Sequence, residues 1–398
     1  MTTALHEALT PADVAAANAL ARRWFASRDE IPAAASGLGV WPLLAVLAAG
    51  AVEDTEAELL AALGLDADRA RTLPASLLDG IRATAAVRLA VGAWAGPGLA
   101  LDPDWVAGLP DGAVGSLTGD LAADKAALDA WAARGTQGLI DRMPLDLDDT
   151  VRLVIASALS VRTDWRTPFR DAFRRFASGP WAGLDCRVLE AQLHGNILRL
   201  GAMASVLTVE GEDDIDVLLA LGHEDLSPHD VMARLTAAAS DPGWGRSPAD
   251  LEPGRRAVGV AIEEWWAETP QTAPETFVET VAFAVTEDLD LLSSAAALGL
   301  ELASDSDLAQ FDRLAAQALF VSQAKQTCTA EFSETGFKAA AVTAFGMAYM
   351  GGLPADPPRP HRHVRARIVF DRPFAYLVRH RPTGLFLLGG WVAEPQPR

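Results

Sequence analysis

A chain of 398 residues, half of them hydrophobic and 22% charged, carries enough apolar side chains for a large core and is not a disordered chain. Its formal net charge of −20 works against polyanionic partners, because binding nucleic acid requires neutralising phosphates, so no nucleic-acid partner is expected. No stretch approaches the roughly 18 uninterrupted apolar residues of a membrane span, so no membrane partner is expected either.

The N-terminus shows no charged start followed by an apolar run and a cleavage site, which gives a cytoplasmic expectation and leaves extracellular release open. Thr10-Pro11-Ala12-Asp13 instead reads as a helix start, with a cap, a first-position Pro and an acid at the third position. Leu20 and Trp24 continue an apolar face at i, i+4. Thr55 and Glu58 read as a second capping box before Leu59, Leu60 and Leu63, with Gly64 as terminator. Residues 119–134 form an Ala-rich helical pattern with Leu121, Leu128 and Trp131 on one face.

Strands dominate later in the chain. The runs 151–161, 215–221, 364–370, 374–378 and 385–388 are short, apolar or alternating, and bounded by turn residues. Residues 240–280, rich in Pro, Gly, Trp and acid, give no clear period and read as a surface excursion. Length alone suggests two or three domains, yet no composition shift marks a boundary; helices first and strands after indicate an α+β fold.

Catalytic signatures are missing from this pattern. There is no Gly-x-Ser-x-Gly elbow, no Gly-x-Gly-x-x-Gly loop, no phosphate loop and no His-Glu-x-x-His, so the chain does not read as an enzyme. His223-Glu224 with His229 has the wrong spacing for a helical zinc pair, and His361 with His363 in a basic run is a weak site, so neither a metal nor a cofactor is expected. Glu263-Glu264 reads as an acidic surface stretch. Cys186 and Cys328 lie far apart and read as buried thiols, with a single bridge as the other option.

The C-terminal segment is the most specific signal. Phe370-Asp371-Arg372-Pro373-Phe374-Ala375-Tyr376-Leu377-Val378-Arg379-His380-Arg381-Pro382-Thr383-Gly384, followed by Leu385 to Val392, reads as two strands joined at the turn-rich stretch 381–384. Together with residues 36–51, with Asp129-Ala130-Trp131 and Thr136, Gly138 and Ile140, with Ile155 to Thr163-Asp164-Trp165, and with Val321-Ser322 leading to Glu331 and Glu334-Thr335-Gly336, it resembles the serpin family across nearly the whole chain. The resemblance implies a single serpin-like domain over 1–398, with N-terminal helices packed on a large central β-sheet plus smaller sheets. It also implies an exposed reactive-centre loop with a Pro-rich extension at 334–360.

The resemblance further implies an inhibitor of serine endopeptidases, with cysteine endopeptidases as a wider class, that acts as a suicide substrate. A protease cleaves the loop, whose freed N-terminal part enters the large sheet as an extra strand. The hinge residues would be Glu334, Gly336, Phe337, Ala339, Ala340 and Ala341. With period two, Phe337, Ala339, Ala341, Thr343 and Phe345 would face inward, and Lys338, Ala340, Val342 and Ala344 outward. Small residues at 339–341 and the lack of Pro suit insertion, and Gly336 suits a pivot. The family's spacing puts the reactive bond at Met350–Gly351, with Tyr349–Met350 as the alternative. Either suits a protease with an apolar primary pocket of chymotrypsin, elastase or subtilisin type, acting on a monomer.

Three departures from the family's pattern bear on function. The family's sheet-opening cluster maps to Ser36, Gly39, Ser157 and Gln326, where Gly39 brings no side-chain donor or acceptor. Phe337 is bulky where inhibitory members usually carry a small or hydroxyl residue, so slow insertion would turn inhibitor into substrate. The return segment 351–367 holds Pro354, Pro357, Pro358 and Pro360 and a basic cluster of Arg359, His361, Arg362, His363, Arg365 and Arg367, which reads as a solvated strand or as an exosite. The alternative function is a non-inhibitory serpin-fold binding or structural protein that proteases simply cleave.

Overall fold

The computed structural model describes residues 5–110, 112–148, 151–250, 256–337 and 361–397. Helix α1 (Pro11–Ser27) starts on the expected capping box: Thr10 Oγ1 accepts from the Asp13 amide and the Asp13 carboxylate accepts from the Thr10 amide. Such a cap contributes about 1 kcal/mol. Leu20 and Trp24 are fully buried below it. Helix α2 (Gly37–Gly50) is apolar on every side and buried along almost its whole length, as a helix with no polar face must be. Helices α3 (Glu53–Leu63) and α4 (Ala67–Arg82) pack on α2, and α5 (Leu121–Gly135) lies further along the chain. Among the described residues no helix is long and apolar enough to cross a membrane.

The central sheet contains β1 (Val87–Ala95), β2 (Val114–Ser116), β3 (Leu153–Val161), β4 (Thr163–Asp164), β5 (Phe283–Asp290), β6 (Val321–Phe332) and β7 (Gly336–Phe337). Its order is β2-β1-β3-β6-β7-β4, with β5 paired on the far side of β6. β3 is buried at every position because it is covered on both faces. Leu153, Ile155, Leu159 and Val161 enter the main core, while Val154, Ala156 and Ala158 meet Leu128 and Ala132 of α5.

Two smaller sheets complete the α+β architecture. The C-terminal hairpin, Phe374–His380 with Leu385–Val392, forms one edge of a five-stranded sheet and is buried at nearly every position. A six-stranded sheet places His361–Val369 between Val260–Ala267 and Glu275–Val281.

Several expectations need correction. Thr55 does not cap: α3 begins at Glu53 behind Val52, which has no side-chain cap bond, and buried Thr55 accepts instead from the Gln310 amide. Glu58 accepts from the amides of Glu301 and Leu302. A tertiary contact has replaced the local cap. Leu121 is exposed; the interior position in that first turn belongs to Asp124, which accepts from Thr118 and Gly119. The 240–280 segment is no excursion, since Val260–Ala267 and Glu275–Val281 are sheet strands; acids exposed on both faces of the first obscure its alternation. The basic run is not a free solvated strand either. Arg365 pairs with Glu275, Arg367 pairs with Glu279 and lies over the Phe277 ring, and His363 Nε2 is 2.7 Å from the Thr269 carbonyl. Both cysteines are buried and free.

Candidate functional site

The seam between β3 and β6 is the candidate site. These two strands run parallel and bond directly, from Ile155 opposite Ala324 to Leu159 opposite Cys328. They are the central pair of a sheet whose flanking pairs, β1–β3 and β5–β6, are antiparallel. Along β6, Ala324, Gln326, Cys328, Ala330 and Phe332 alternate into the core.

Gln326 and Ser157 face each other on one rung of the seam, both fully buried. The Gln326 amide reaches across to the start of α2, where Oε1 accepts from the Ser36 amide and Nε2 donates to the Ser36 carbonyl, each at 2.9 Å. Nε2 also lies 3.4 Å from Ser157 Oγ. Ser36 caps α2 by accepting from the Gly39 amide at 3.0 Å, and its hydroxyl donates to the Leu387 carbonyl in the C-terminal hairpin. The Cys328 thiol, whose ionisation burial pushes far above its ordinary value, donates to Gln326 Oε1 at 3.2 Å. The four residues matched from sequence thus converge, and their network is complete without a side chain at position 39.

Gly39 has a positive role. A Cβ there would lie 2.6 Å from Gln326 Nε2 and 3.1 Å from Ser157 Oγ, so its hydrogen is what admits the Gln326 amide. Small size at position 39 and amide length at position 326 are complementary.

Above this rung the seam forks. Beyond Leu159 and Cys328 the strands separate, and β7 fills the gap: Phe337 pairs with Phe332 of β6 and Thr163 of β4, and Gly336 pairs with Asp164. β7 is antiparallel to both neighbours. The turn leading to it is held by Ser333, whose amide and hydroxyl both donate to the Gly336 carbonyl at 3.0 Å, and by Trp165 Nε1 donating to the Ser333 carbonyl. A Cβ on Gly336 would lie 2.2 Å from the Thr163 carbonyl oxygen. Its φ is not in the left-handed region, so close approach accounts for glycine in this conformation.

Phe337 is fully buried, its ring 6.2 Å from that of Tyr376. Tyr376 stands 5.0 Å from Phe283, which stacks on Phe332 at 5.5 Å. An aromatic pocket therefore receives the bulky Phe337 ring. Glu334 pairs with Arg187 of the six-stranded sheet at 2.5 Å, and the same guanidinium contacts Asp171 at 2.9 Å. Arg187, Asp171 and the Tyr376 pocket were not found from sequence; Arg187 and Glu334 lie 147 positions apart and no local pattern links them. Lys338, Ala339, Ala340, Ala341, Val342, Thr343, Ala344, Phe345, Tyr349, Met350, Gly351, the four prolines and Arg359 lie outside the described residues.

A family model described as Serpin (serine protease inhibitor) matches residues 17–175 and 259–395. The chain is 25% identical over 285 residues to neuroserpin of Mus musculus, covering 68% of this chain and 60% of that protein. It is 25% identical over 403 residues to putative serpin-Z6C of Oryza sativa subsp. japonica, covering 90% of each. Among solved structures, tengpin, described as a thermophilic serpin in the native state, superposes with a TM-score of 0.72 at 16% identity, covering 96% of this chain and 94% of that one.

Proposed function

This chain belongs to the serpin family, a family of protease inhibitors and not of catalysts, and we propose that it inhibits serine endopeptidases by loop cleavage and insertion. The observation carrying the proposal is the forked seam: a central parallel pair with a two-residue antiparallel strand already seated at one end. A strand entering along the seam would replace one parallel ladder by two antiparallel ones. Parallel pairing is slightly weaker per residue, and each added backbone hydrogen bond contributes about 0.5–1.5 kcal/mol net.

The pairing of Phe337 with Phe332 and Thr163 sets a register for such a strand. Continued antiparallel, it would bring Ala339 beside Ala330 and Val161, and Ala341 beside Cys328 and Leu159. Thr343 would reach the rung of Gln326 and Ser157. The odd-numbered residues would thus join the buried face of β6, and small side chains fall where room is least. Cleavage at Met350–Gly351, or at Tyr349–Met350, would suit a protease with an apolar primary pocket.

Phe337 favours a second reading, a non-inhibitory serpin-fold binding protein. Its ring is already seated in the aromatic pocket, so its burial supplies no further drive for inserting the rest of the loop. Mixing the protein with chymotrypsin-, elastase- and subtilisin-like proteases separates the two. A detergent-resistant complex on a denaturing gel supports inhibition, whereas complete loop cleavage beside free, active protease overturns it.

A further inference from the structure

The end of α4, the start of β1 and the end of α5 enclose a cavity of about 590 Å³, away from the forked seam. Leu78, Ile81 and Trp131 supply apolar lining, and Trp131 is braced edge-on against Trp94 at 4.7 Å. Arg82, Arg88 and Arg134 line the same cavity, and no described lining residue is acidic. In a chain of net charge −20, that convergence runs against composition.

The three arginines are held unequally. Arg82 pairs with Asp79 at 3.0 Å, with both side chains more than half exposed, so solvent screens that pair. Arg88 donates through Nη1 to the carbonyls of Thr84 and Val87. The Arg134 guanidinium has no hydrogen-bond or ion-pair partner among the described residues, its carbonyl alone accepting at the helix end. A helix C-terminus favours one cation in its last turn, which accounts for Arg82 and Arg134 taken singly. It does not account for Arg88 from a strand meeting them over an apolar wall.

We propose that this cavity binds an amphipathic carboxylate, a single anionic head on an apolar chain or ring. The apolar body lies against Leu78, Ile81 and Trp131, and the carboxylate is held by Arg134 and Arg88. The volume is within the usual range for small-molecule sites, and a planar guanidinium matches a carboxylate in two-point geometry.

Calorimetric titration of the full chain with decanoate tests this, with acetate and decyltrimethylammonium as the head-only and opposite-charge comparisons. Saturable one-to-one binding of decanoate is expected, with neither comparison binding at the same concentrations. Arg134→Gln should weaken decanoate about tenfold or more, the loss of one charge-assisted contact, while Arg134→Lys retains more of the affinity. Circular dichroism confirms that each variant is folded, and Arg88→Gln gives an independent second loss. No saturable binding, equal binding of the cationic amphiphile, or affinity unchanged in both glutamine variants would overturn the proposal. Binding is read without any protease, so its failure leaves the inhibitory reading standing.

Discussion

Gln326 holds Ser36 by both of its backbone polar groups, accepting from the amide and donating to the carbonyl at 2.9 Å each. One side chain of β6 thereby fixes the entry of the buried helix α2. Gln326→Leu would leave the Ser36 amide buried and unsatisfied, at about 1–3 kcal/mol, while the Ser36 carbonyl keeps the Gly39 amide at 3.2 Å. The expected outcome is a clearly lower denaturant midpoint for the loop-intact protein. Gly39→Ala should act in the same direction, because its Cβ would meet Gln326 Nε2 at 2.6 Å. An unchanged midpoint in both variants would refute the linkage.

Phe337 removes an expectation drawn from sequence. Bulk at the first hinge position suggests a brake on insertion, which Thr in its place should release. The ring is instead already inside the sheet and fully buried. Phe337→Thr should therefore give no more covalent protease complex than the parent. Phe337→Ala should lower native stability by about 3 kcal/mol, or less if the two-residue strand detaches as a unit. The ratio of complex to cleaved chain, measured beside the unfolding midpoint, checks both statements; a rise in that ratio for Phe337→Thr contradicts the first.

Local chemistry was legible in the sequence, and long-range complementarity was not. The Thr10–Asp13 box, the αL termination at Gly64 and the doubly buried run of β3 follow from neighbours a few positions apart. Thr55 carries the same local signature as Thr10, but a contact to Gln310 overrides it. Gly39 reads in sequence as a missing hydrogen-bonding group, yet in space it is room for an amide arriving from position 326. Val260–Ala267 stays hidden because exposed side chains lie on both faces, Glu263 on one and Glu264 and Trp266 on the other, while its pairing partner lies about a hundred residues later.

Arg187 ties the turn at Glu334 to a different sheet. It bridges Glu334 and Asp171, with only about a fifth of its side chain and 15% of that of Glu334 exposed. Arg187→Ala leaves Glu334 without this partner at the turn that carries β7. A charge-assisted bond of this kind contributes about 1.5–3 kcal/mol, less where solvent reaches it. Faster hydrogen exchange at Glu334–Phe337 is expected, with little change at the C-terminal hairpin. Exchange that accelerates equally everywhere would mean global destabilisation and would remove Arg187 as a clamp on that turn.

The proposed register makes a parity test between two neighbouring alanines. Ala341 would enter beside Cys328 and Leu159, which are fully buried, whereas Ala340 would face outward on the same strand. If the proposed insertion operates, Ala341→Arg should abolish complex formation and leave a plain substrate, since an unpaired guanidinium cannot be buried cheaply. Ala340→Arg should leave most of the complex yield intact. Equal losses in the two variants would reject the register.

His380 supplies a pH dependence whose sign follows from burial. Loss of solvation is the leading cause holding its ionisation below the ordinary value, reinforced by His6 and Arg381 and opposed by Asp214. The folded chain therefore binds a proton there less readily than the unfolded chain. Stability from this site is fully present above the unfolded value of about 6.5 and declines as pH falls from there through the folded one. Nδ1 lies 2.9 Å from Thr383 Oγ1 in the turn of the C-terminal hairpin. His380→Gln keeps a polar group near Thr383 but cannot titrate. Between pH 7.5 and 5.5, the urea midpoint of the parent should fall further than that of the variant. The carboxylates are common to both chains and cancel in the comparison, so parallel slopes would show that His380 carries none of the dependence.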